Sequence, residues 1–393
     1  MGESTTIINT GLRGVTVAST RISDVDGKKG RLIYRGFLVA DLAERASFEE
    51  VVYLLLYEHL PDRKELAQFK DRLASERWIS DSLVAALKTQ PAEALPMDIV
   101  QAGVSFLANE DQDIKEQSKA ASERMAVRLI AKFPVLLAAW DRIRQGLEPI
   151  APVEDLGHAA NFLYMLTGER PAEDTAHFMD VALVLHAEHS FNASTFSARQ
   201  VASTRAHMYA AVGAAVGSLS GDLHGGANVR VMQMLQEIGS VDRVEEFVKA
   251  QLAAGKVLFG LGHAVYKVDD PRAIILAPMS ETMCRRIGEP KWYEISREVE
   301  SKGKTLFKDH KGIDIYTNVD FYSASLYYAL GIPIDYFTPV FAVSRVAGWT
   351  AHVIEEQYAG AAEKPALYRP ASDYVGTYCG PDECTFVPLE KRE

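Results

Sequence analysis

The stretch FSARQVASTRAHMYAAVGAAVGSL, residues 196–219, is the part of the chain most informative about its architecture. Small residues recur there at helical spacing, with alanines on one line and Gly213 and Gly217 on the next. Small side chains four residues apart let two helix backbones approach closely. The pattern predicts a helix over 196–219 that is either central in a helical protein or at a subunit interface.

Helical patterns continue along most of the chain. Ser47 and Glu50 have capping-box spacing and precede an apolar run that Pro61 stops. Strand signals are few, the best being residues 30–35, and strands do not alternate with helices, which disfavours a Rossmann fold or a barrel. The other predicted helices are 64–75, 80–90, 95–107, 114–145 and 171–189. We therefore predict an all-α fold.

The chain is long enough for two or three domains, or for one large domain with an insertion. It has 393 residues, of which 48% are hydrophobic and 24% charged, as expected for a globular protein with a sizeable core. Glycine and proline interrupt it near 220–227 and 330–333. We predict a large helical domain of residues 1–223 and 327–393, a small inserted helical domain of residues 224–326, and a cleft between them.

The charge and cysteine content exclude several classes of protein. A net charge of −11 argues against a nucleic-acid partner, although a few arginines in a cleft can still attract an anionic small molecule. Three cysteines, Cys284, Cys379 and Cys384, cannot form a disulfide framework. No secretory signal or long apolar run is visible. We expect a cytoplasmic protein with no membrane partner.

Four histidines lie in unusual sequence contexts. His186 and His189 are three residues apart at the end of an apolar helix, while His224 in LHGGAN and His263 in GLGHAVYK lie in glycine-rich loops. Glycine lets the backbone come close to a ligand. A single histidine of this kind is more typical of a structural role. Two such loops at opposite ends of the predicted insertion favour a functional site.

Two charged residues lie in apolar surroundings. Asp320 is either a helix N-cap or a buried carboxylate with the raised pKa that suits a general base. Arg345 shares a helix face with Phe341, and no acidic residue lies within a turn of it. It either extends to solvent or pairs with a carboxylate, and a bound ligand could supply that carboxylate. Arg272 and Arg369, taken alone, are more typical of surface charges or salt bridges.

Four motifs occur together in one order. They are LHGGAN, GLGHAVYK with DPR following, NVDFYSASLYYALG, and FAVSRVAGW followed by LYRP. In order and spacing the chain resembles the citrate synthase family from about residue 11 to residue 376. The blocks GLRGVTVASTRISDVDGKKGRLIYRG and HAEHSFNAST are also similar to it. The resemblance implies an all-helical homodimer in which a small domain closes over the substrates.

The resemblance also implies a role for each matching residue. Asp320 would remove a proton from the methyl group of acetyl-CoA, His224 would hydrogen-bond the enol oxygen, and His263 would protonate the oxaloacetate carbonyl. His189, Arg272 and Arg345 would hold the oxaloacetate carboxylates. The other implied contacts are Phe341 at the base of the pocket, Lys267 on a CoA phosphate, and Arg369 donated by the partner subunit.

The chain departs from the family pattern at two positions. Thr317 stands where relatives usually have proline, and we expect this change to loosen the loop that presents Asp320. Ala371 follows Arg369-Pro370 where many relatives carry a second arginine, so one contact to CoA or to a carboxylate is in question.

The implied reaction condenses acetyl-CoA, oxaloacetate and water to citrate and CoA, with CoA as substrate and product and no permanently bound cofactor. A 2-methylcitrate synthase would use propionyl-CoA and the same residues, since one methylene gives only about 1–3 kcal/mol of discrimination. Two alternatives come from other classes. One is a metal-dependent hydrolase using His186, His189, His224 and Asp320, and the other is a non-catalytic CoA-binding protein.

Overall fold

The fold is helical, as predicted. The computed structural model describes residues 10–12, 14–263, 265–372, 374–376 and 387–392. These residues contain sixteen α-helices and one small sheet. The sheet is antiparallel in the order β1-β2-β3, with strands Ser23–Asp26, Arg31–Tyr34 and Phe37–Leu38. The central strand, Arg31–Tyr34, confirms the strand predicted at residues 30–35.

The helices are numbered in chain order. The first eight are α1 Val39–Arg45, α2 Phe48–Tyr57, α3 Arg63–Ser75, α4 Asp81–Lys88, α5 Pro96–Glu110, α6 Lys119–Arg144, α7 His158–Thr167 and α8 Glu173–His186. The rest are α9 Ala193–Ala202, α10 Met208–Leu219, α11 Ala227–Ile238, α12 Val244–Ala253, α13 Pro271–Arg286, α14 Lys291–Lys311, α15 Val319–Ala329 and α16 Phe337–Gln357. Short 3₁₀ turns lie at Thr10–Leu12, Val241–Arg243, Ile334–Tyr336 and Leu389–Lys391.

The start of α2 follows its sequence signal closely, but its end does not. Ser47 and Glu50 form both hydrogen bonds of the capping box. The helix ends at Tyr57, because Glu58 adopts a left-handed conformation with φ of 71°. Pro61 therefore lies beyond the end of the helix and does not itself terminate it.

The single helix predicted over 196–219 is wrong, because the structure has two helices, α9 and α10, in this region. Arg205, between them, is left-handed with φ of 64°, and the His207 side chain caps α10 by accepting a hydrogen bond from the Ala210 backbone N–H. The predicted close approach does occur, since α10 packs on α5. A Cβ atom on Gly217 would lie 2.8 Å from the Gln101 amide nitrogen.

Helix α16 is buried along most of its length and packs against α6, α8, α9 and α10. It passes very close to the chain that follows α8. A Cβ atom on Gly348 would lie 2.5 Å from the Ala187 carbonyl oxygen, so only glycine fits there. This contact brings residues of α16 beside His189. Among the residues that the structure describes, no helix is long and apolar enough to cross a membrane.

Helices α11 to α15 pack mainly on one another: α13 on α15, α12 on α14 and α11 on α15. They fall within the inserted segment predicted at residues 224–326, except for the end of α15. The division of the chain into two domains stays a prediction. The loops at the edge of this helical group present the residues described next.

Candidate active site

One cleft of about 700 Å³ brings together most of the predicted site residues. Its lining includes His189, His224, His263, Arg272, Asp320, Phe341 and Arg345. Lys267 and Arg369 are not among the residues that line it, and both are exposed. The cleft therefore gathers seven of the nine residues that the sequence singled out.

His224 lies in the turn between α10 and α11. Its Nε2 accepts a hydrogen bond from the Ser194 backbone N–H at 3.2 Å and lies 2.8 Å from the Ser194 hydroxyl. Because a backbone N–H can only donate, Nε2 carries a lone pair and the proton lies on Nδ1. Burial, together with the charge of Arg345, lowers the pKa of His224 to about 4. His224 is therefore a neutral donor at pH 7.

His263 has the opposite tautomer. Its Nδ1 accepts hydrogen bonds from the backbone N–H groups of Val265 at 2.9 Å and Tyr266 at 3.1 Å, which places the proton on Nε2. Burial and the charge of Arg272 lower the pKa of His263 to about 4. A second neutral N–H donor therefore lines the cleft.

His189 lies beside His263, with ring centres 5.6 Å apart. The His189 Nε2 atom is 3.3 Å from the Tyr266 hydroxyl. Burial, followed by the charges of Arg272 and Arg345, lowers the pKa of His189 well below its usual value. All three histidines of the cleft are therefore neutral at pH 7.

Asp320 lies in the first turn of α15, but it is not the N-cap. Asn318 is the cap, and its side chain accepts a hydrogen bond from the Asp320 backbone N–H at 3.1 Å. Burial raises the pKa of Asp320 to about 6, an effect that the charge of Arg272 partly offsets. Its own backbone N–H also acts on the carboxylate by hydrogen bonding and lowers the pKa slightly. No hydrogen bond from another described residue to the Asp320 carboxylate is present, so the carboxylate can accept a proton from a ligand.

The segments carrying His263 and Asp320 are bonded to each other. Leu261 and Thr317 form an antiparallel bridge, and the Asn318 backbone N–H donates to the Gly260 carbonyl at 2.9 Å. The expectation that Thr317 loosens this segment is wrong. Thr317 is buried, and both its backbone N–H and its hydroxyl donate to a single carboxylate oxygen of Asp269.

Arg345 is a buried cation without an anionic partner in the described residues. Its Nε donates to the His186 carbonyl oxygen at 2.6 Å, and its guanidinium lies 4.6 Å from the centre of the Phe341 ring. No carboxylate in that part of the chain lies within 4.0 Å of it. Burial lowers the pKa of Arg345 to about 10, so it stays charged. This arrangement suits an anionic ligand.

Arg272 is not a surface charge, because only 2% of it is exposed. It is a salt-bridge member, since its Nε and Nη2 donate to the two carboxylate oxygens of Asp270 at 3.0 and 2.7 Å. This bidentate pair fixes the guanidinium at the cleft wall.

Four residues of the site have no role predicted from the sequence: Ser194, Tyr266, Asp270 and Asn318. All four lie inside motifs that were already quoted, Ser194 in NAST, Tyr266 in GLGHAVYK, Asp270 in DPR and Asn318 in NVD. The signal was therefore present, but the pairing of Asp270 with Arg272 requires the folded loop.

His186 does not line the cleft, although its ring packs on Phe341, which does. His186 is buried, and its Nδ1 donates to the Ala182 carbonyl oxygen at 2.7 Å within α8. In the part of the chain that the structure covers, no three His, Cys, Asp or Glu side chains are grouped as metal ligands. The metal-hydrolase alternative therefore has no ligand set there. Cys379 and Cys384 lie outside the described residues.

Comparison with known proteins identifies relatives over nearly the whole chain. The family profile described as "Citrate synthase, C-terminal domain" matches residues 11–371. The chain is 43% identical to "Citrate synthase 2" of Bacillus subtilis, covering 97% of this chain and 98% of that protein. It is 38% identical to a 2-methylcitrate synthase of Shewanella oneidensis, covering 96% and 97%.

Solved structures agree with the sequence comparison. Citrate synthase from Pyrobaculum aerophilum is 39% identical with a TM-score of 0.88, covering 97% of this chain and 95% of that one. A ternary complex of the Thermoplasma acidophilum citrate synthase with carboxymethyl coenzyme A and oxaloacetate is 32% identical with a TM-score of 0.88, covering 96% and 98%. This chain belongs to the citrate synthase family.

Proposed function

We propose that the protein condenses acetyl-CoA with oxaloacetate and water to form citrate and CoA. One observation carries the proposal: a single cleft combines a carboxylate of pKa about 6, two neutral imidazole donors and two buried arginines. Removing a proton from carbon needs a base near the working pH and a donor at the developing oxyanion. The cleft contains both kinds of group.

In the proposed first step Asp320 removes a proton from the methyl group of acetyl-CoA. The Nδ1–H of His224 donates to the thioester oxygen as the enol forms. His224 suits this step because its Nε2 accepts the Ser194 backbone N–H. The proton is therefore on Nδ1, directed away from Ser194.

In the second step the enol carbon attacks the oxaloacetate carbonyl carbon, forming a C–C bond. The Nε2–H of His263 transfers its proton to the carbonyl oxygen, which becomes the citrate hydroxyl. The proton that Asp320 took from the methyl group replaces the one given up by His263, so both groups return to their starting protonation states. Water then cleaves the C–S bond of the citryl thioester and releases CoA as a free thiol.

The binding roles are proposed residue by residue. His189, Arg272 and Arg345 hold the oxaloacetate carboxylates above Phe341. Lys267 contacts a CoA phosphate, which is supported by its exposed position four residues from His263. The ligands of the Thermoplasma relative, carboxymethyl coenzyme A and oxaloacetate, support the same pair of substrates.

The assembly and location are also proposed. We infer a homodimer in which Arg369, exposed in the single chain, completes the partner's site. The half-buried alanines Ala210 and Ala214 on α10 suit a close helix contact between subunits. Closure of residues 224–326 over the substrates would exclude water. Buried, unpaired Cys284 is compatible with the reducing cytoplasm, and no permanently bound cofactor is required.

The test measures thiol release from acetyl-CoA and from propionyl-CoA, each with and without oxaloacetate. Oxaloacetate-dependent release with a higher kcat/KM for acetyl-CoA supports the proposal. A higher value for propionyl-CoA would favour the 2-methylcitrate synthase suggested by the Shewanella relative. No release with either would leave a non-catalytic CoA-binding protein.

A variant pair tests the base. Asp320→Asn should lower kcat by about 10²–10⁴-fold, the usual range for a general base. Its matched control is Asp335→Asn, which alters an aspartate paired with Arg144 far from the cleft and should leave kcat unchanged. If Asp320→Asn keeps more than a few per cent of the wild-type rate, Asp320 is not the base.

A further inference from the structure

Thr317, three residues before Asp320, is held by Asp269. The Thr317 backbone N–H donates to Asp269 Oδ1 at 2.9 Å, and its hydroxyl donates to the same oxygen at 2.8 Å. Glu300 Oε1, 3.1 Å from that hydroxyl, is a second and more distant acceptor for its proton. Two hydrogen bonds to one carboxylate oxygen therefore restrain Thr317 just before the turn that carries Asp320.

Asp269 is itself held on its other side by α14. Lys304 Nζ lies 2.8 Å from Asp269 Oδ1 and 2.9 Å from Oδ2. The same ammonium donates to Glu300 at 2.7 Å, and Glu300 also accepts a hydrogen bond from the Tyr322 hydroxyl of α15. Asp269 is thus fixed to α14, which the Glu300–Tyr322 hydrogen bond joins to α15, and it can in turn fix Thr317.

The neighbouring Asp270 connects the same segment to the substrate arginine. Its backbone N–H donates to the Thr317 carbonyl oxygen at 3.0 Å, while its carboxylate accepts both hydrogen bonds from Arg272. Thr317 is therefore bonded on both sides by two consecutive aspartates, one of which also holds Arg272.

The Asp320 carboxylate has no such restraint of its own. Besides its own backbone N–H, no described residue donates a hydrogen bond to it, so its position depends on the backbone of residues 317–320. A misplacement of about 1 Å can cost about 10²-fold in rate. The restraint of Thr317 should therefore affect catalysis as well as stability.

We propose that Asp269 is a positioning residue for Asp320, acting through its two hydrogen bonds to Thr317. The inference rests on the proposed function, because it requires Asp320 to be the base. It assigns Asp269 no contact with either substrate.

The first test is Asp269→Ala, assayed well below its melting temperature. We expect kcat to fall by about 10–100-fold while the KM for oxaloacetate stays within about threefold. The matched control is Asp314→Ala, which removes another aspartate paired with an α14 lysine, Lys308, at 3.0 Å on the surface. An unchanged kcat in Asp269→Ala overturns the proposal, as does a KM increase as large as the kcat decrease.

A double-mutant cycle tests the route through Thr317. Thr317→Pro removes the backbone N–H and the hydroxyl that donate to Asp269, and its ring fixes φ near about −65°. Adding Asp269→Ala to this variant should therefore lower kcat by less than about twofold. A merely structural Asp269 would cost the same factor in both backgrounds, and that result overturns the proposal. If the proline variant does not fold, Asp269→Asn decides, because it keeps an oxygen acceptor for Thr317. It should recover most of the activity lost in Asp269→Ala, and no recovery overturns the proposal.

The wild-type assay separates this inference from the proposed function. Absence of oxaloacetate-dependent thiol release overturns both. An active wild type with a fully active Asp269→Ala overturns the positioning role alone.

Discussion

Arg199 and Arg345 are both buried, with 3% and 1% of each residue exposed, yet their surroundings are opposite. Arg199 donates to Glu355 Oε2 at 2.7 Å and lies 2.5 Å from Glu356 Oε2. Arg345 has only a backbone carbonyl as hydrogen-bond acceptor, and no carboxylate of the described chain lies within 4.0 Å. One arginine is neutralised by the protein, and the other faces the cleft.

The two arginines share their other features. Each guanidinium lies over an aromatic ring, Arg199 at 4.5 Å from Phe191 and Arg345 at 4.6 Å from Phe341. Burial tends to lower the pKa of Arg199, but Tyr368 and the glutamates outweigh it and raise the pKa, whereas burial lowers that of Arg345 to about 10. They differ most clearly in their carboxylate partners, because Arg199 has two within 4.0 Å and Arg345 has none among the described residues. A buried cation that lacks one and lines a cleft is suited to bind an anion.

Of the variants compared here, Arg199→Leu should have the largest effect, a loss of stability. It leaves Glu355 and Glu356 buried without their cation, which should cost about 3–5 kcal/mol of unfolding free energy. Denaturant unfolding measures this loss, and the oxaloacetate KM of the folded variant should stay within about twofold. Arg170→Leu, which breaks an exposed pair with Asp155, is the control and should leave stability nearly unchanged. If Arg199→Leu and Arg170→Leu lost the same unfolding free energy, the buried ion pairs of Arg199 would not be more important for stability than the exposed pair.

Arg345→Leu should show the reverse pattern. Charge-assisted hydrogen bonds contribute about 1.5–3 kcal/mol, so the KM for oxaloacetate should rise by about 10²-fold. The free energy of unfolding should change little, because in the described residues the variant removes a desolvated charge with no carboxylate within 4.0 Å, on which Glu188 acts only from farther away. Calorimetry and steady-state kinetics check both parts. An unchanged KM with a lowered melting temperature would make Arg345 structural.

The sequence made Arg345 predictable and left Arg199 undetected. Arg345 is conspicuous because its own helix is apolar and offers no acid within a turn. His224 and His263 were predictable for the same reason, because the glycines that mark their loops are their neighbours in the chain. Helical periodicity and the Ser47 capping box likewise depend on neighbours in the chain, which is why the fold class and the start of α2 could be predicted.

Features formed by distant parts of the chain could not be predicted. The partners of Arg199 lie about 150 residues away on α16, so no local pattern reveals the pair. The break between α9 and α10 occurs at Arg205, whose left-handed backbone has no glycine to signal it. The residues around Thr317 suggested a loose segment, because the carboxylate that holds Thr317 belongs to Asp269, 48 residues away, and no local pattern shows it.

The pH dependence of turnover should show the effect of Arg345 on the proposed base. Asp320 has a pKa of about 6, so the ionised fraction and kcat/KM should fall about tenfold per pH unit below pH 6. The pKa values of His224 and His263, about 4, keep both neutral across this range. Since the Arg345 charge lowers the pKa of Asp320, Arg345→Leu should move the midpoint to higher pH.

Arg199→Leu is the control for that shift and should leave the midpoint in place, because Arg199 is not among the charges that act on Asp320. A pH–rate profile from pH 4.5 to 8, at a temperature where each variant is folded, measures it. A flat profile through pH 6 in the wild type would contradict the assignment of Asp320.

The smallest expected effect tests the feature that the two arginines share. Phe341→Leu removes the ring beneath Arg345, and a cation–π contact contributes about 0.5–2 kcal/mol, so the KM for oxaloacetate should rise by about threefold to tenfold. The same substitution in the Arg345→Leu background should change the KM little, because the ring then has no cation to hold. An equal increase in KM in both backgrounds would mean that Phe341 acts by packing, for example against the His186 ring 4.8 Å away. The contact between the Phe341 ring and the guanidinium would then not prepare Arg345 for its ligand.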